Sequence, residues 1–155
     1  LYRKIDREET WPAPPPDCEI RRSSADEAEI TGAIVESAFF PDGTPEPFRG
    51  LIAPLYQMKG AVAFVASVED QPVACGTGLI LEEHKVVALC GAGTLAAYRG
   101  RGFQTALLRR RMQTAANAGC EYAVIVTNGG TTSQRNAERL GFRVAYSKVT
   151  AIKTC

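Results

Sequence analysis

Tyr98-Arg-Gly-Arg-Gly-Phe-Gln-Thr105 joins the apolar run Val86-Val-Ala-Leu-Cys90 to a helical pattern that begins near Phe103 and stops at Gly119. Glycines at 100 and 102 let a backbone come close to a ligand and turn successive N–H groups toward one point at a helix start. The positive helix end and the guanidiniums of Arg99 and Arg101 favour a phosphate there. Charge-assisted hydrogen bonds contribute roughly 1.5–3 kcal/mol each net, so a few convergent donors hold a pyrophosphate at micromolar affinity without a metal or a Walker lysine. The bland alternative is a tight strand-to-helix turn with solvated arginines.

Gly91-Ala-Gly93-Thr-Leu-Ala96 matches the dinucleotide fingerprint and follows a strand, which raises a NAD-dependent oxidoreductase as an alternative. The context argues against it. A helix running on from Ala96 would meet Gly100 and Gly102 within its first turns. The acidic residue needed about 20 residues on is replaced by Arg109-Arg-Arg111.

A chain of 155 residues is long enough for one core, burying roughly 70% of its unfolded surface. With 18 basic and 17 acidic residues there is no electrostatic case for nucleic acid or membrane as a partner, and Arg109-Arg-Arg111 reads as a solvated helix face. The five cysteines are odd in number, follow no C-x-x-C spacing and place Cys75 and Cys90 inside apolar strands, which suits a reduced, cytoplasmic setting and no metal site. His84, the only histidine, sits at a hairpin tip and reads as solvated. No window is long or apolar enough for a signal peptide or a membrane span.

Residues 1–17 read as an N-terminal extension or linker, with Trp11-Pro-Ala-Pro-Pro-Pro16 too proline-rich to join a sheet. Leu1 to Ile5 are expected to be a strand on a sheet edge, the end of an upstream unit of the same chain. Residues 18–155 form the domain. Glu19 to Arg22 is a short strand, and Ser24 with Glu27 is a capping box for a helix to Phe39 with Ile30, Ile34 and Ala38 on its inner stripe. A helix is expected over about 48–58. A three-strand antiparallel meander covers 61–68, 72–81 and 85–95. Then come the glycine-loop helix, a strand at 122–127, a helix at 132–140 stopped by Gly141, and a strand at 142–148 that 149–152 extend.

In this order the residues resemble the GNAT superfamily of N-acetyltransferases over roughly Glu19 to Lys148. The likeness rests on the meander, on Arg99-Gly-Arg-Gly-Phe-Gln104 opening the long helix, and on Ser133-Gln-Arg-Asn-Ala-Glu-Arg-Leu-Gly-Phe142. The family signature is Gln or Arg, two residues, Gly, one residue, then Gly or Ala. Arg99 and Gly102 match it, and Gln104 stands where a small residue is usual. The resemblance implies a mixed α/β fold: a mostly antiparallel central sheet, splayed between the signature strand and the next, with helices on its flanks. It implies acetyl-CoA as co-substrate and no metal, and a small-molecule or peptide amine as acceptor, attacked directly in a ternary complex. Arg99, Gly100, Arg101, Gly102, Phe103, Gln104 and Thr105 would cradle the pyrophosphate, largely through backbone N–H groups. Thr94 and Leu95 would pair with the pantetheine arm, and a freed N–H of either is the candidate oxyanion donor.

Two departures bear on catalysis. The tyrosine acid that many family members carry corresponds to Ala137, and the glutamate base of some corresponds to Ile125. No catalytic side chain is assigned. Ser133 and Asn136 are expected either to contact the cofactor or to cap the helix, and Asp42, Glu46 and Glu36 are the carboxylates nearest an acceptor loop flanked by Phe39, Phe40, Phe48 and Tyr56. A non-catalytic, acyl-CoA-binding half of a longer tandem protein is the first alternative.

Overall fold

The turns decide the sheet. Glu69 and Asp70 take φ of 49° and 63°, a two-residue hairpin turn whose twist matches its strands. It joins β3 (Ala61–Val68) to β4 (Gln71–Leu81). Lys85, at φ 52°, then returns the chain as β5 (Val86–Thr94), completing the expected meander. The computed structural model describes residues 1–149 and 151. The remaining elements are β1 (Tyr2–Lys4), β2 (Glu19–Arg22), α1 (Ala28–Phe39), α2 (Ala53–Gln57), α3 (Phe103–Asn117), β6 (Tyr122–Ile125) and α4 (Thr132–Arg139). The six-stranded sheet has the order β1-β6-β5-β4-β3-β2, and only β5 and β6 pair in parallel. This is the mixed α/β, mostly antiparallel open sheet that the family resemblance implies.

Alternation along β3 sorts the core into two layers. Val62, Phe64 and Ala66 face α3, where Phe103, Leu107, Leu108 and Met112 are buried, while Ala63 faces Ile34, Val35 and Tyr56 of α1 and α2. Each large apolar side chain so buried contributes about 1.5–3 kcal/mol.

Several expectations need correction. On α1 the inner face is Ala28, Thr31, Gly32, Ile34 and Val35, whereas Ile30 is 53% exposed. Gly32 accounts for the rotation: a Cβ there would stand 3.2 Å from the Ala53 nitrogen, so α2 lies against this face. The expected helix over 48–58 shrinks to Ala53–Gln57 after a 3-10 turn at Glu46–Phe48, because Gly50 breaks it at φ 69°. The strand expected at 142–148 does not form. Tyr2–Lys4 holds the edge of β6 that it would need, leaving one bridge between Tyr2 and Arg143, and Val144 and Tyr146 stay exposed. Its proposed extension over 149–152 lies partly outside the described residues.

Within residues 1–17, Tyr2–Lys4 join this same sheet and Leu1 and Ile5 pack on its core. The ring of Trp11 joins the α3-side core and lies 4.9 Å from the Arg3 guanidinium and 5.3 Å from that of Arg109. Among the described residues no helix is long and apolar enough to cross a membrane, and no group of His, Cys, Asp and Glu has the makings of a metal site.

Candidate functional site

β5 ends at Thr94, and after Leu95 a 3-10 turn at Ala96–Tyr98 leads into the glycine loop, where Gly100 and Gly102 take φ of 77° and 85°. A Cβ at Gly100 would meet nothing within 4 Å, so glycine is there for its backbone conformation and not for lack of room. The first backbone bond of α3 runs from Ala106 N–H to Gly102 O (3.1 Å). Among the described residues none of the N–H groups of Gly100, Arg101, Gly102, Phe103, Gln104 or Thr105 donates to the protein. They are the orphan donors of a helix start, with the positive end of a 15-residue helix behind them. Phe103, 1% exposed, anchors that start in the core.

The side chains of the loop divide their duties, and of the two guanidiniums expected to favour a phosphate only one is free to do so. Arg99 donates to Thr94 O (3.3 Å) and Ala38 O (3.2 Å), tying the loop to α1. Gln104 turns away from the loop: its Nε2 donates to Gly93 O (2.6 Å), Thr94 Oγ1 (3.0 Å) and Cys75 O (3.2 Å). The extra length at this position therefore staples α3 to β4 and β5, and only the Gln104 N–H remains for a ligand. Arg101 alone projects from the loop, over the Tyr98 and Phe103 rings and paired with the Asp17 carboxylate. A diphosphate bound at this loop would compete with Asp17 for that guanidinium. Exposed pairs contribute about 0.2–1 kcal/mol, so Asp17→Asn is expected to tighten coenzyme A binding about two- to fivefold by calorimetry. Unchanged or weaker binding would show that Arg101 takes no part.

Next to the loop the sheet opens. β5 and β6 pair from Val86–Tyr122 to Leu89–Ile125 and no further, so the strands part beyond Leu89. Within β5 the ladder pairs Cys75 with Gly93 but Thr77 with Cys90, leaving Gly91 and Ala92 opposite Gly76. That is a β-bulge, and Gly91 takes φ 48° to make it. Gly93 has another reason: a Cβ there would stand 2.7 Å from Val35 Cα, so it lets α1 lie close to the strand. Leu95 N–H donates to Val73 O (2.9 Å), which removes Leu95 as an oxyanion donor. Since Ala74 and Thr94 are the next pair, alternation turns the Thr94 N–H away from β4 and toward the gap. Thr127, just past the end of β6, carries a buried hydroxyl without a hydrogen-bond partner among the described residues.

The remaining candidates are dispersed. Ser133 does not cap α4; Thr131 does, accepting from Gln134 N–H (3.3 Å). Asn136 meets only Arg139, at 3.5 Å. Glu36 accepts from Gly50 N–H (2.8 Å), while Asp42 and Glu46 are exposed. Tyr56 is a core residue whose hydroxyl donates to Gly91 O (2.6 Å), and burial holds its pKa well above the ordinary value. Ala137 is fully buried among Leu108, Met112, Leu140 and Phe142. A tyrosine there would overpack the core by about 1–3 kcal/mol, so Ala137→Tyr should lower Tm by several degrees and supply no proton donor. A stable, faster variant would overturn this.

The family model for GNAT acetyltransferases matches residues 9–142. The chain belongs to the GNAT acetyltransferase family. No curated protein matches the sequence. Solved structures of like fold include aminoglycoside acetyltransferase AAC(6')-Iy in complex with a CoA-S-monomethyl-acetylneamine bisubstrate analogue (TM-score 0.69, 21% identity, 89% of this chain and 99% of that one). Others are a GCN5-related N-acetyltransferase from Ralstonia eutropha JMP134 (0.70, 19%, 87% and 98%) and a putative acetyltransferase from Agrobacterium tumefaciens (0.64, 22%, 88% and 99%). GNAT acetyltransferases draw their acetyl group from acetyl-CoA. The residues present suit that co-substrate: free N–H groups at a helix start for its diphosphate, and an open strand gap with an orphaned hydroxyl beside it. The dinucleotide alternative is thereby corrected, since Gly91 and Gly93 lie in a strand antiparallel to β4 and only a 3-10 turn, not an α-helix, begins at Ala96.

Proposed function

We propose that this GNAT domain transfers acetyl from acetyl-CoA to an amine by direct attack within a ternary complex. The observation that carries the reading is the row of unengaged N–H groups from Gly100 to Thr105, set beside the gap between β5 and β6. Acetyl-CoA supplies an activated thioester; the protein binds, aligns and polarises it. The loop amides hold the diphosphate at the helix start. The exposed edge of β5 takes the pantetheine arm as an added strand, and Thr94 N–H donates to the thioester carbonyl as charge develops on its oxygen. Holding the two reactants together provides most of the remaining acceleration.

An amine as acceptor is supported by neighbours of like fold, whose structures contain an acetylneamine bisubstrate analogue and sisomicin. The test is thiol release from acetyl-CoA with sisomicin, spermidine and a lysine peptide, each product weighed for one added acetyl group. Stoichiometric release and acetylation support transfer. Binding of coenzyme A without release to any acceptor would favour the non-catalytic reading that Ala137 raises.

A further inference from the structure

Arg111 was expected to be solvated and is 2% exposed, in the apolar stripe of α3. No carboxylate pairs with it among the described residues. Its guanidinium donates to backbone alone: Nε to Leu107 O (3.2 Å) and Nη1 to Thr77 O (2.7 Å) and Cys90 O (3.4 Å). Burying an uncompensated cation is costly. Burial pushes the Cys75 thiol up to about 11 and holds Tyr56 protonated, so neither neutralises it at pH 7.

The place where the charge is buried gives the reason. Thr77 and Cys90 are the last regular pair before the ladder slips, and Gly76, opposite the bulge, has no side chain because a Cβ would stand 2.8 Å from Arg111 Cζ. Side chains from outside the ladder donate to the carbonyls around the bulge. Arg111 serves Thr77 and Cys90, Tyr56 serves Gly91 and Gln104 serves Gly93. A one-residue slip of β5 would reverse which edge each N–H faces and turn Thr94 N–H back to β4.

We propose that Arg111 is a positioning residue for acyl transfer, its buried fork fixing the β5 bulge in the register that presents Thr94 N–H to the gap. This rests on the acetyltransfer reading. It acts through the strand and touches neither reactant.

The test uses hydroxylamine as acceptor, a nucleophile neutral at pH 7 that needs neither an acceptor pocket nor a base. Arg111→Met is expected to lower kcat about 100-fold, as loss or misplacement of an oxyanion donor does. Its coenzyme A Kd stays within about twofold, since the loop is untouched. Arg111→Lys, which reaches one carbonyl, recovers part of kcat. Gly76→Ala displaces the guanidinium without removing its charge and lowers kcat in the same way. In amide spectra both Arg111→Met and Gly76→Ala shift Thr94 while Gly100 to Thr105 keep their wild-type positions.

A folded Arg111→Met with wild-type kcat, or with its loss in Kd, overturns the proposal. If that variant does not fold, Gly76→Ala and Arg111→Lys decide by the same criteria. Wild type that releases no thiol above buffer sinks the transfer reading and this proposal with it; an active wild type beside an Arg111→Met of equal kcat sinks this proposal alone.

Discussion

Gly102→Asp is expected to abolish coenzyme A binding while leaving the fold in place. Gly102 sits at φ 85°, where an aspartate costs about 1 kcal/mol, and its Cβ would meet nothing nearer than Pro15 Cγ at 3.8 Å. The backbone therefore tolerates the change. The ligand does not, because a carboxylate now stands where the diphosphate should, among N–H groups that otherwise have no acceptor. Losing two charge-assisted bonds costs roughly 3 kcal/mol, or about 100-fold in Kd before repulsion is counted. Wild type at 100 times its Kd gains about 2.7 kcal/mol, a thermal shift of several degrees, and the variant should show none. Gly102→Asn separates shape from charge and should retain part of the shift. A folded aspartate variant with a normal shift would remove the loop from the site.

Acetyl transfer to a lysine-like amine should accelerate about tenfold per pH unit from 7 to 10, because such an amine is neutral only about once in 2,500 molecules at pH 7. That scarcity costs near 4.6 kcal/mol, and nothing at the gap relieves it. Ile125 and Ala137 carry no proton. Tyr56 stays protonated, engaged with Gly91 O, and burial holds the Cys75 thiol at about 11. The proton is left to water or to the exposed loop carboxylates Asp42 and Glu46, and an acceptor of low pKa would flatten the profile. A bell-shaped profile centred near neutrality and sensitive to Tyr122 or Tyr146 would mean that a side chain performs the acid or base step.

The parts of this domain that follow from local rules were readable before the fold was known. The apolar strand runs at 61–68, 72–81 and 85–95 and the capping box at Ser24 and Glu27 act over a few residues, and they placed the meander and the start of α1. Long-range competition was not readable. Nothing in Phe142 to Lys148 reveals that Tyr2–Lys4 takes the edge it needs. Helix faces lie between these cases. Ile30 looks like a core residue by its spacing from Ile34 and Ala38, yet small residues at Ala28 and Gly32 set the contact face. Arg111 reads as surface in a run of three arginines, although its spacing from Phe103, Leu107 and Ala115 puts it on the buried stripe of α3. Counting helical positions before weighing charge would have found it. The site divides likewise: the glycine loop is local and legible, whereas the attachment of Gln104 to the Gly93 carbonyl depends on how α3 lies across the sheet.

The central claim is that the N–H groups from Gly100 to Thr105 hold the diphosphate of the acyl donor. Amide spectra recorded as coenzyme A is added, and again with pantetheine, test it directly. The account predicts large downfield shifts of those amides with coenzyme A and none with pantetheine, while the amide near the gap, Thr94, responds to both. Coenzyme A that binds without moving the loop amides, or pantetheine that moves them equally, would contradict it.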